Sequence, residues 1–318
     1  MTVTQDQKKR LQAWLPLIVL FVLVMIVGLY DNTFFSVLNF LSMTSDTMTL
    51  FLMASGVTFV IMMGGIDLSI QAVASMASCI LAAHLQRFGF GAIGLAVAGG
   101  IIAGFAGGIV STRLRIPSFI ATLAISGIVL SAGYWFSETR SISIPTEQTD
   151  AYLVWATGDC LGVPNEIWVG LFFLALLTFI LDHTAFGRLV RGIGAQESAV
   201  IASGINVDRV KIAAYTLSGA MAGIAGVVMG ARLGSGSPTL AIEFLLPAIA
   251  CIVVGGTAIT GGVGSIWRSF IGALIIQVVR IGMTFMSISV FTQQIVFGFI
   301  LVAAVAITMD RTKVLVIK

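Results

Sequence analysis

Long apolar stretches follow one another along nearly the whole chain and are separated by short polar segments. Each stretch is close to the roughly 20 residues that a helix needs to cross the hydrocarbon core of a bilayer. The alternating segments of about 10 residues that are typical of a membrane β-barrel are absent. The pattern predicts an all-α polytopic membrane protein with about ten transmembrane helices, at 14–30, 46–63, 68–86, 91–112, 117–137, 166–182, 212–231, 242–260, 265–285 and 290–309.

Composition and charge agree with this pattern. Hydrophobic residues make up 58% of the 318 residues and charged residues only 10%, whereas a soluble domain carries about 25% charged residues. The positive-inside rule favours a topology with both termini in the cytoplasm. Arg87, Arg140 and Arg232 then lie outside and Arg280 lies within a span. The inside holds Lys8, Lys9, Arg10, Arg113, Arg115, Arg188, Arg191, Arg209, Lys211, Arg268, Arg311, Lys313 and Lys318.

The predicted spans form a single transmembrane domain over residues 1–318 with two long connections. The outer connection covers about 138–165, and the inner one covers about 183–211. The net charge of +3 is therefore a signal of membrane orientation and not of nucleic-acid binding. The lipid bilayer is the expected environment of the whole chain.

Several kinds of chemistry have no support in the sequence. It contains no GxxxxGK[ST] loop to hold nucleotide phosphates, and its three cysteines form no CxxC pair. His84 and His183 are isolated, so neither a metal site nor a nucleophilic catalytic set is predicted. We expect no bound cofactor and no enzymatic activity in this chain. Energy for any transport would come from another subunit or from an ion gradient.

Ionisable residues within spans are the default functional candidates in a membrane protein. Asp67, Glu243 and Arg280 meet this criterion, and Arg268 lies near a span end. Asp67 stands in MMGGIDLSI, residues 62–70, where the second span ends and the third begins. We predict that it is the N-cap of the third helix, with help from Ser69, at a break in the bundle interior. Direct contact with substrate is the alternative.

The inner connection contains AQESAVIASGINVDRVK, residues 195–211. Its pattern predicts a short amphipathic helix at roughly 195–203, ended by Gly204, and a second helix that starts near Val207 and enters the membrane. An ordered, charged helix in this position suggests a docking surface. An ordinary solvated loop is the alternative.

Three segments together resemble one family. GGIDLSI (64–70), FGRLVRGIGAQESAVIASGINVDRVK (186–211) and VVGGTAITGGVGSIWRSFIGAL (253–274) resemble the permease subunits of bacterial ABC importers for monosaccharides, in the ribose-type branch. The resemblance runs along nearly the whole chain. It implies a type II importer permease fold in the bacterial inner membrane, paired with a second identical or related permease. It also implies two ATPase subunits that bind the ATP, and a periplasmic sugar-binding protein.

The resemblance also implies roles for individual residues. The segment 195–205 matches the coupling helix that docks on the ATPase, with Glu197, Ser198, Ser203, Gly204 and Asn206 near that interface. The glycine-rich motifs imply helix breaks at Gly64, Gly65, Asp67, Ser69, Gly255, Gly256, Gly261 and Gly262.

A neutral sugar needs hydrogen-bonding groups without strong charges along its pathway. The hydrogen-bonding residues within spans are Ser55, Thr58, Gln71, Ser75, Thr122, Ser126, Gln277 and Gln293, and the pathway candidates taken from them are Thr58, Gln71, Ser126 and Gln277. Small hydroxyls in membrane helices often bond their own backbone. The outer aromatic pair Tyr134–Trp135 is expected either to meet the binding protein or to anchor the chain at the interface.

Two other classes of function are weighed against the importer permease. A secondary transporter would need coupling acids within the bundle and would work without an ATPase. An integral membrane enzyme would need His, Asp or Glu clustered at one membrane face. The identity of the sugar and of the partner permease stays open.

Overall fold

The computed structural model describes residues 5–308. Within this part the chain forms thirteen α-helices and four very short strands. The helices are α1 Gln5–Tyr30, α2 Val37–Met62, α3 Ile70–Phe88, α4 Phe90–Arg113, α5 Ser118–Ser137, α6 Thr146–Tyr152, α7 Val154–Thr157, α8 Asn165–His183, α9 Ala185–Ala202, α10 Val207–Leu233, α11 Leu245–Val254, α12 Ile266–Phe285 and α13 Val290–Thr308. The strands are β1 Ile142–Ser143, β2 Asp159–Cys160, β3 Val163–Pro164 and β4 Ser235–Gly236, and 3-10 turns cover Asn32–Phe35 and Ile242–Phe244.

Each of the ten predicted spans corresponds to one helix of the described chain. Six helices, α2, α4, α5, α8, α10 and α12, are long and apolar enough to cross a bilayer, and α1, α11 and α13 contain shorter apolar segments. Three boundaries differ from the prediction by more than five residues, and the first is the start of α1, at Gln5 instead of 14. Helix α2 begins at Val37 instead of 46, and α11 ends at Val254 instead of 260. The polar residues of 36–46 concealed the first turns of α2, and the glycines after Val254 end α11 early.

Helix α2 is the centre of the bundle. Every residue from 47 to 63 is buried, and the helix packs against α3, α8, α10, α11 and α12. A helix that is apolar or small on all sides is expected in the interior. Hydroxyls in this buried stretch form hydrogen bonds within α2: those of Thr47 and Thr58 donate to backbone carbonyls four residues earlier.

Helices α4 and α10 pack with their backbones in close approach along a seam of small residues. A Cβ added at Gly104 would lie 2.2 Å from the Tyr215 carbonyl oxygen, and one added at Gly219 would lie 2.1 Å from the Gly100 carbonyl oxygen. Any larger residue would force the helices apart. This is the small-residue packing that membrane helices use, and it explains the glycines of 99–108 and 218–226.

The outer connection is ordered and is tied to the end of α10. Strand β1 pairs with β4, with Ile142 opposite Gly236, and β2 and β3 form a hairpin. Helices α6 and α7 lie between these strands. The end of the molecule that carries this connection is called the outer end below, and the end that carries α9 is called the inner end.

Candidate functional site

The connection between α2 and α3 is an irregular segment, residues 63–69, inside the bundle. Its backbone N–H groups find partners on the first turns of α5: Ile66 donates to the Ser118 hydroxyl at 3.0 Å and Leu68 donates to the Thr122 hydroxyl at 3.0 Å. A helix break at membrane depth is tolerated only where the protein satisfies the backbone in this way. The predicted break at Gly64 and Gly65 is thus present, and α5 supports it.

Asp67 lies at this break and is 1% exposed. Its Oδ1 accepts from the Ser69 N–H at 2.9 Å and from the Ser69 hydroxyl at 2.6 Å. Its Oδ2 accepts from the Ser218 hydroxyl of α10 at 2.7 Å. The predicted N-cap role is wrong in one respect, because the N-cap position of α3 is Ser69 and no side chain bonds there. Asp67 lies two residues before this N-cap position. Its carboxylate therefore closes an Asx-type turn with Ser69 and binds the segment 63–69 to α10 through Ser218.

Three glycine-containing segments meet beside this break. The Gly262 N–H donates to the Met62 carbonyl at 2.8 Å, which joins the loop 255–265 to the end of α2. A Cβ added at Gly194 of α9 would lie 1.8 Å from the same carbonyl oxygen and 2.3 Å from the Gly262 nitrogen. Only glycine fits at 194. The three sequence segments that carry the family resemblance are therefore in direct contact at the inner end.

A polar cavity of about 530 Å³ opens next to these contacts. Its walls come from the ends of α2, α4, α9 and α10 and from the α4–α5 connection. The lining residues are Val60, Met63, Gly64, Gly65, Ser111, Thr112, Arg115, Ile116, Pro117, Ser118, Glu197, Asp208, Lys211 and Tyr215. Hydroxyls and charges of both signs line it without a dominant charge, which suits a neutral, hydroxylated solute. Sequence reasoning missed Arg115, Ser118 and Tyr215, because the pattern alone does not show which ends meet.

Helix α9 is divided by a kink. Gln196 has φ −162° and ψ 92°, so residues 197–202 form a separate helical segment that we call the inner helix. The predicted start at 195 is thus two residues early. Ser203 is the C-cap and Gly204 has φ +80°, which favours glycine. Asn206 caps α10 by accepting the Arg209 N–H at 3.1 Å.

Most of the inner helix faces away from the bundle. Ser198, Ala199, Ala202 and Ser203 are exposed, and Ile201 is 57% exposed. Glu197 differs from its neighbours, because its carboxylate accepts from the Lys211 ammonium at 2.7 Å. The ion pair joins the inner helix to α10 across the mouth of the cavity.

The four predicted pathway residues lie in three separate places. Thr58 is fully buried and its hydroxyl lies 3.0 Å from that of Ser269 on α12. The Gln71 amide donates to the Ser126 hydroxyl at 3.3 Å, between α3 and α5. Gln277 donates to Asp46 at 3.0 Å, nearer the outer end. Among the described residues, the Gln71 amide oxygen is buried without a hydrogen-bond partner.

The outer half of the bundle holds a charged network that the sequence did not indicate. The Arg232 guanidinium forms ion pairs with Asp46 of α2 and, at 3.4 Å, with Glu166 of α8. Asp46 was predicted at a span boundary, but α2 begins nine residues earlier, so Asp46 lies within the helix and is partly exposed. Arg280 lies with its guanidinium 4.9 Å from the centre of the Phe244 ring. Arg232 of α10 thus joins α2 and α8 near their outer ends.

One predicted intramembrane acid is not in the bundle interior. Glu243 lies in the 3-10 turn Ile242–Phe244 before α11, and it is exposed. Glu243 therefore faces outwards from the described chain at the start of the apolar stretch Ile242–Val254. Asp67 remains, and its oxygens are already bonded within the protein.

Comparison with known proteins assigns the chain to a family. The profile of the family described as branched-chain amino acid transport system / permease component matches residues 39–305. The chain belongs to this family of permeases. It is 34% identical over 304 residues to the ribose import permease protein RbsC of Escherichia coli (strain K12), covering 93% of this chain and 94% of that protein. No solved structure matches the chain.

Two further relatives have a similar extent of match. The probable ABC transporter permease protein YphD of Escherichia coli (strain K12) is 35% identical over 295 residues, which is 91% of this chain and 87% of that protein. The fructose import permease protein FrcC of Rhizobium meliloti is 30% identical over 304 residues, which is 93% of this chain and 84% of that protein. The matches confirm the resemblance to ribose-type permeases, and the permease is a multi-pass membrane protein.

Proposed function

We propose that this permease is the membrane-spanning subunit of an ATP-driven ABC importer that moves a monosaccharide or related polyol across the inner membrane by alternating access. It acts as one domain, pairs with a second permease, and takes substrate from a periplasmic sugar-binding protein. Two separate ATPase subunits bind the ATP. The observation that carries the proposal is the exposed inner helix, which lines the polar cavity through Glu197 and directly follows the segment whose Gly194 contacts both helix breaks.

The inner helix is the proposed docking segment for the ATPase. Four of its six residues are exposed. Glu197 connects it to α10, and Gly194, on the other side of the Gln196 kink, packs against the end of α2. A movement of this helix would therefore reach the walls of the cavity. Among the predicted interface residues, Ser198 and Ser203 face outwards, whereas Glu197 and Asn206 also bond within the permease.

The test of docking compares two matched glycine substitutions. Gly204 has φ +80° and Gly162, in the outer hairpin, has φ +74°, and neither has an atom within 4 Å of an added Cβ. Proline is excluded from both backbone conformations. We expect Gly204→Pro to abolish ATP-dependent uptake and copurification of the ATPase, and Gly162→Pro to retain copurification. Equal copurification with both variants would contradict the docking assignment.

The orientation with α9 and both termini in the cytoplasm is also proposed, and the basic residues of the inner end support it. Cys160 is exposed in the outer hairpin, whereas Cys79 and Cys251 are buried. A membrane-impermeant maleimide should label the wild-type chain on intact spheroplasts. The Cys160→Ser/Ser203→Cys variant should be labelled only after the membrane is opened. The reverse result would invert the topology.

A secondary transporter would work without an ATPase. The state of the two candidate coupling acids speaks against it, since Asp67 is fully bonded and Glu243 is exposed. We expect proteoliposomes that contain only the permease to show no sugar uptake under a proton or sodium gradient. Gradient-driven uptake by the permease alone would overturn the proposed energy source.

The sugar class is inferred from the relatives' names and from the four pathway candidates, whose side chains form hydrogen bonds and carry no charge. Gln71 is the strongest of the four pathway candidates, because its buried amide oxygen has no partner among the described residues. A sugar hydroxyl would satisfy it. We expect Gln71→Leu to raise the KM of uptake more than Thr58→Val, since Thr58 bonds within the protein. A ligand screen of the cognate binding protein would name the sugar.

A further inference from the structure

The exposed side of the α4–α10 seam is a groove of about 580 Å³. The close packing of the glycines lets the two backbones approach, and larger side chains on either side form the walls. The groove is lined by Ile101, Phe105, Ile109, Arg113, Arg209, Ile212, Ala213, Thr216, Leu217 and Ala220. Its only hydroxyl, on Thr216, donates to the Ile212 carbonyl at 2.8 Å. The body of the groove is therefore apolar.

Both charged residues of the groove lie at its inner end. Arg113 is the last residue of α4, and Arg209 lies in the first turn of α10. Both are exposed, and no ion pair or side-chain hydrogen bond involves either guanidinium within residues 5–308. The neighbouring acid, Asp208, lines the polar cavity instead of the groove. The groove thus ends in two positive charges without a protein counter-ion.

The length of the groove matches one leaflet of a bilayer. Ile101 and Arg113 are twelve residues apart on α4, which corresponds to about 18 Å at the rise of an α-helix. Half of the hydrocarbon core is about 15 Å thick. An acyl chain along the groove would therefore place its headgroup beside the two arginines.

We propose that this groove binds an anionic phospholipid of the cytoplasmic leaflet, with its phosphate between Arg113 and Arg209 and an acyl chain on the α4–α10 seam. Charge complementarity and the match in length select this occupant. The groove shares no lining residue with the polar cavity or the inner helix. The bound lipid would hold the ends of α4 and α10 together.

The test measures lipid retention by native mass spectrometry of the permease in nanodiscs of equal phosphatidylglycerol and phosphatidylcholine. Each basic residue near an anionic membrane surface contributes a roughly five-fold change in affinity. We therefore expect Arg113→Gln or Arg209→Gln to reduce phosphatidylglycerol retention roughly five-fold each, and both together roughly 25-fold. Arg188→Gln is the matched control, since Arg188 is also exposed at the inner end but lies outside the groove.

A second variant tests the groove without changing charge. Ala213 is exposed on its floor, so Ala213→Trp fills the groove and leaves the helix packing intact. Loss of retained phosphatidylglycerol in this variant supports the site. The proposal is overturned if Arg188→Gln releases as much lipid, if phosphatidylcholine is retained equally well, or if Ala213→Trp has no effect. It is also overturned if Ala213→Trp instead breaks a permease dimer, because the groove would then be a subunit interface.

Discussion

The hydrogen bonds of Asp67 allow a sharp test of why a carboxylate lies inside the bundle. Asp67→Asn keeps the oxygen that accepts from Ser69 and replaces the other oxygen with the NH2 group of the amide, which donates instead of accepting. The Ser218 hydroxyl can rotate and accept from that amide. Asp67→Leu has a similar size but removes every acceptor. If the role of Asp67 is to hold the segment 63–69 against α10 through hydrogen bonds, only Asp67→Leu should greatly reduce stability and uptake.

The magnitudes follow from the three bonds. In the leucine variant the Ser69 N–H and two serine hydroxyls lose their acceptor, and each buried orphan donor costs about 1–3 kcal/mol. A serine hydroxyl that turns to a nearby backbone carbonyl costs less than an orphan donor, so we expect a total loss of roughly 3–6 kcal/mol. The asparagine variant exchanges charge-assisted bonds for neutral ones but also avoids burying a charge. Its expected loss is about 1 kcal/mol.

The assay combines stability and transport. Apparent melting temperature and the monodisperse fraction on size-exclusion chromatography report the fold in detergent, and ATP-dependent uptake in cells reports function. We expect Asp67→Asn to retain most uptake and a near-native melting temperature. We expect Asp67→Leu to lose both.

Two outcomes would refute the reasoning. If Asp67→Asn is as damaging to uptake as Asp67→Leu but melts normally, the negative charge itself is needed for transport. If Ser218→Ala added to Asp67→Leu recovers no stability, the orphaned hydroxyl was not part of the cost. Ser218→Ala alone is the control, because it removes one bond and leaves the two from Ser69.

Three further substitutions test other contacts of the structure. Glu197→Lys should reduce uptake, and Lys211→Glu in the same chain should restore it if the ion pair is the role of Glu197. Failure of the exchange in an uptake assay would indicate a contact with a partner. Gly194→Ala should prevent normal folding, seen as aggregation on size-exclusion chromatography, because its Cβ would lie 1.8 Å from a backbone oxygen of α2. Arg232→Gln should lower stability by roughly 1–3 kcal/mol, less than a fully buried pair because Arg232 is partly exposed. Glu166→Gln should recover part of that loss, and no recovery in thermal melting would show that the pair contributes little.

Hydropathy was sufficient to predict the helices, because a bilayer permits almost no other way to satisfy a spanning backbone. It was not sufficient for their ends. Helix α2 begins at Val37, nine residues before the predicted start. The prediction missed its first turns because they carry polar residues near the outer end, where hydropathy gives no signal. The misplacement concealed Asp46 and with it the network around Arg232.

The inner site was partly accessible from the sequence. The break at Asp67 and the short helix before Gly204 were visible as local interruptions of the apolar pattern. The partners of these residues were not, since Ser218 lies 151 positions after Asp67 and stands in a run of small residues that pattern analysis attributes to packing. The contact between Gly194 and Met62 likewise depends on which helix ends meet. The local pattern identified the interruptions, but only the tertiary structure shows which residues contact them.

The contacts at the inner end constrain how the proposed transport cycle could work. The inner helix is joined to α10 through the Glu197–Lys211 pair. Gly194, which precedes it across the Gln196 kink, packs against Met62 of α2 and Gly262 of the loop 255–265. Close-packed contacts of this kind transmit displacement, because a packed interior does not compress. A movement imposed on the inner helix and carried through the kink must therefore either displace the α2 and α10 walls of the polar cavity or break these contacts. The first course would couple the ATPase to the pathway. For this reason the glycine at 194 is as necessary to the proposed mechanism as any exposed residue of the inner helix.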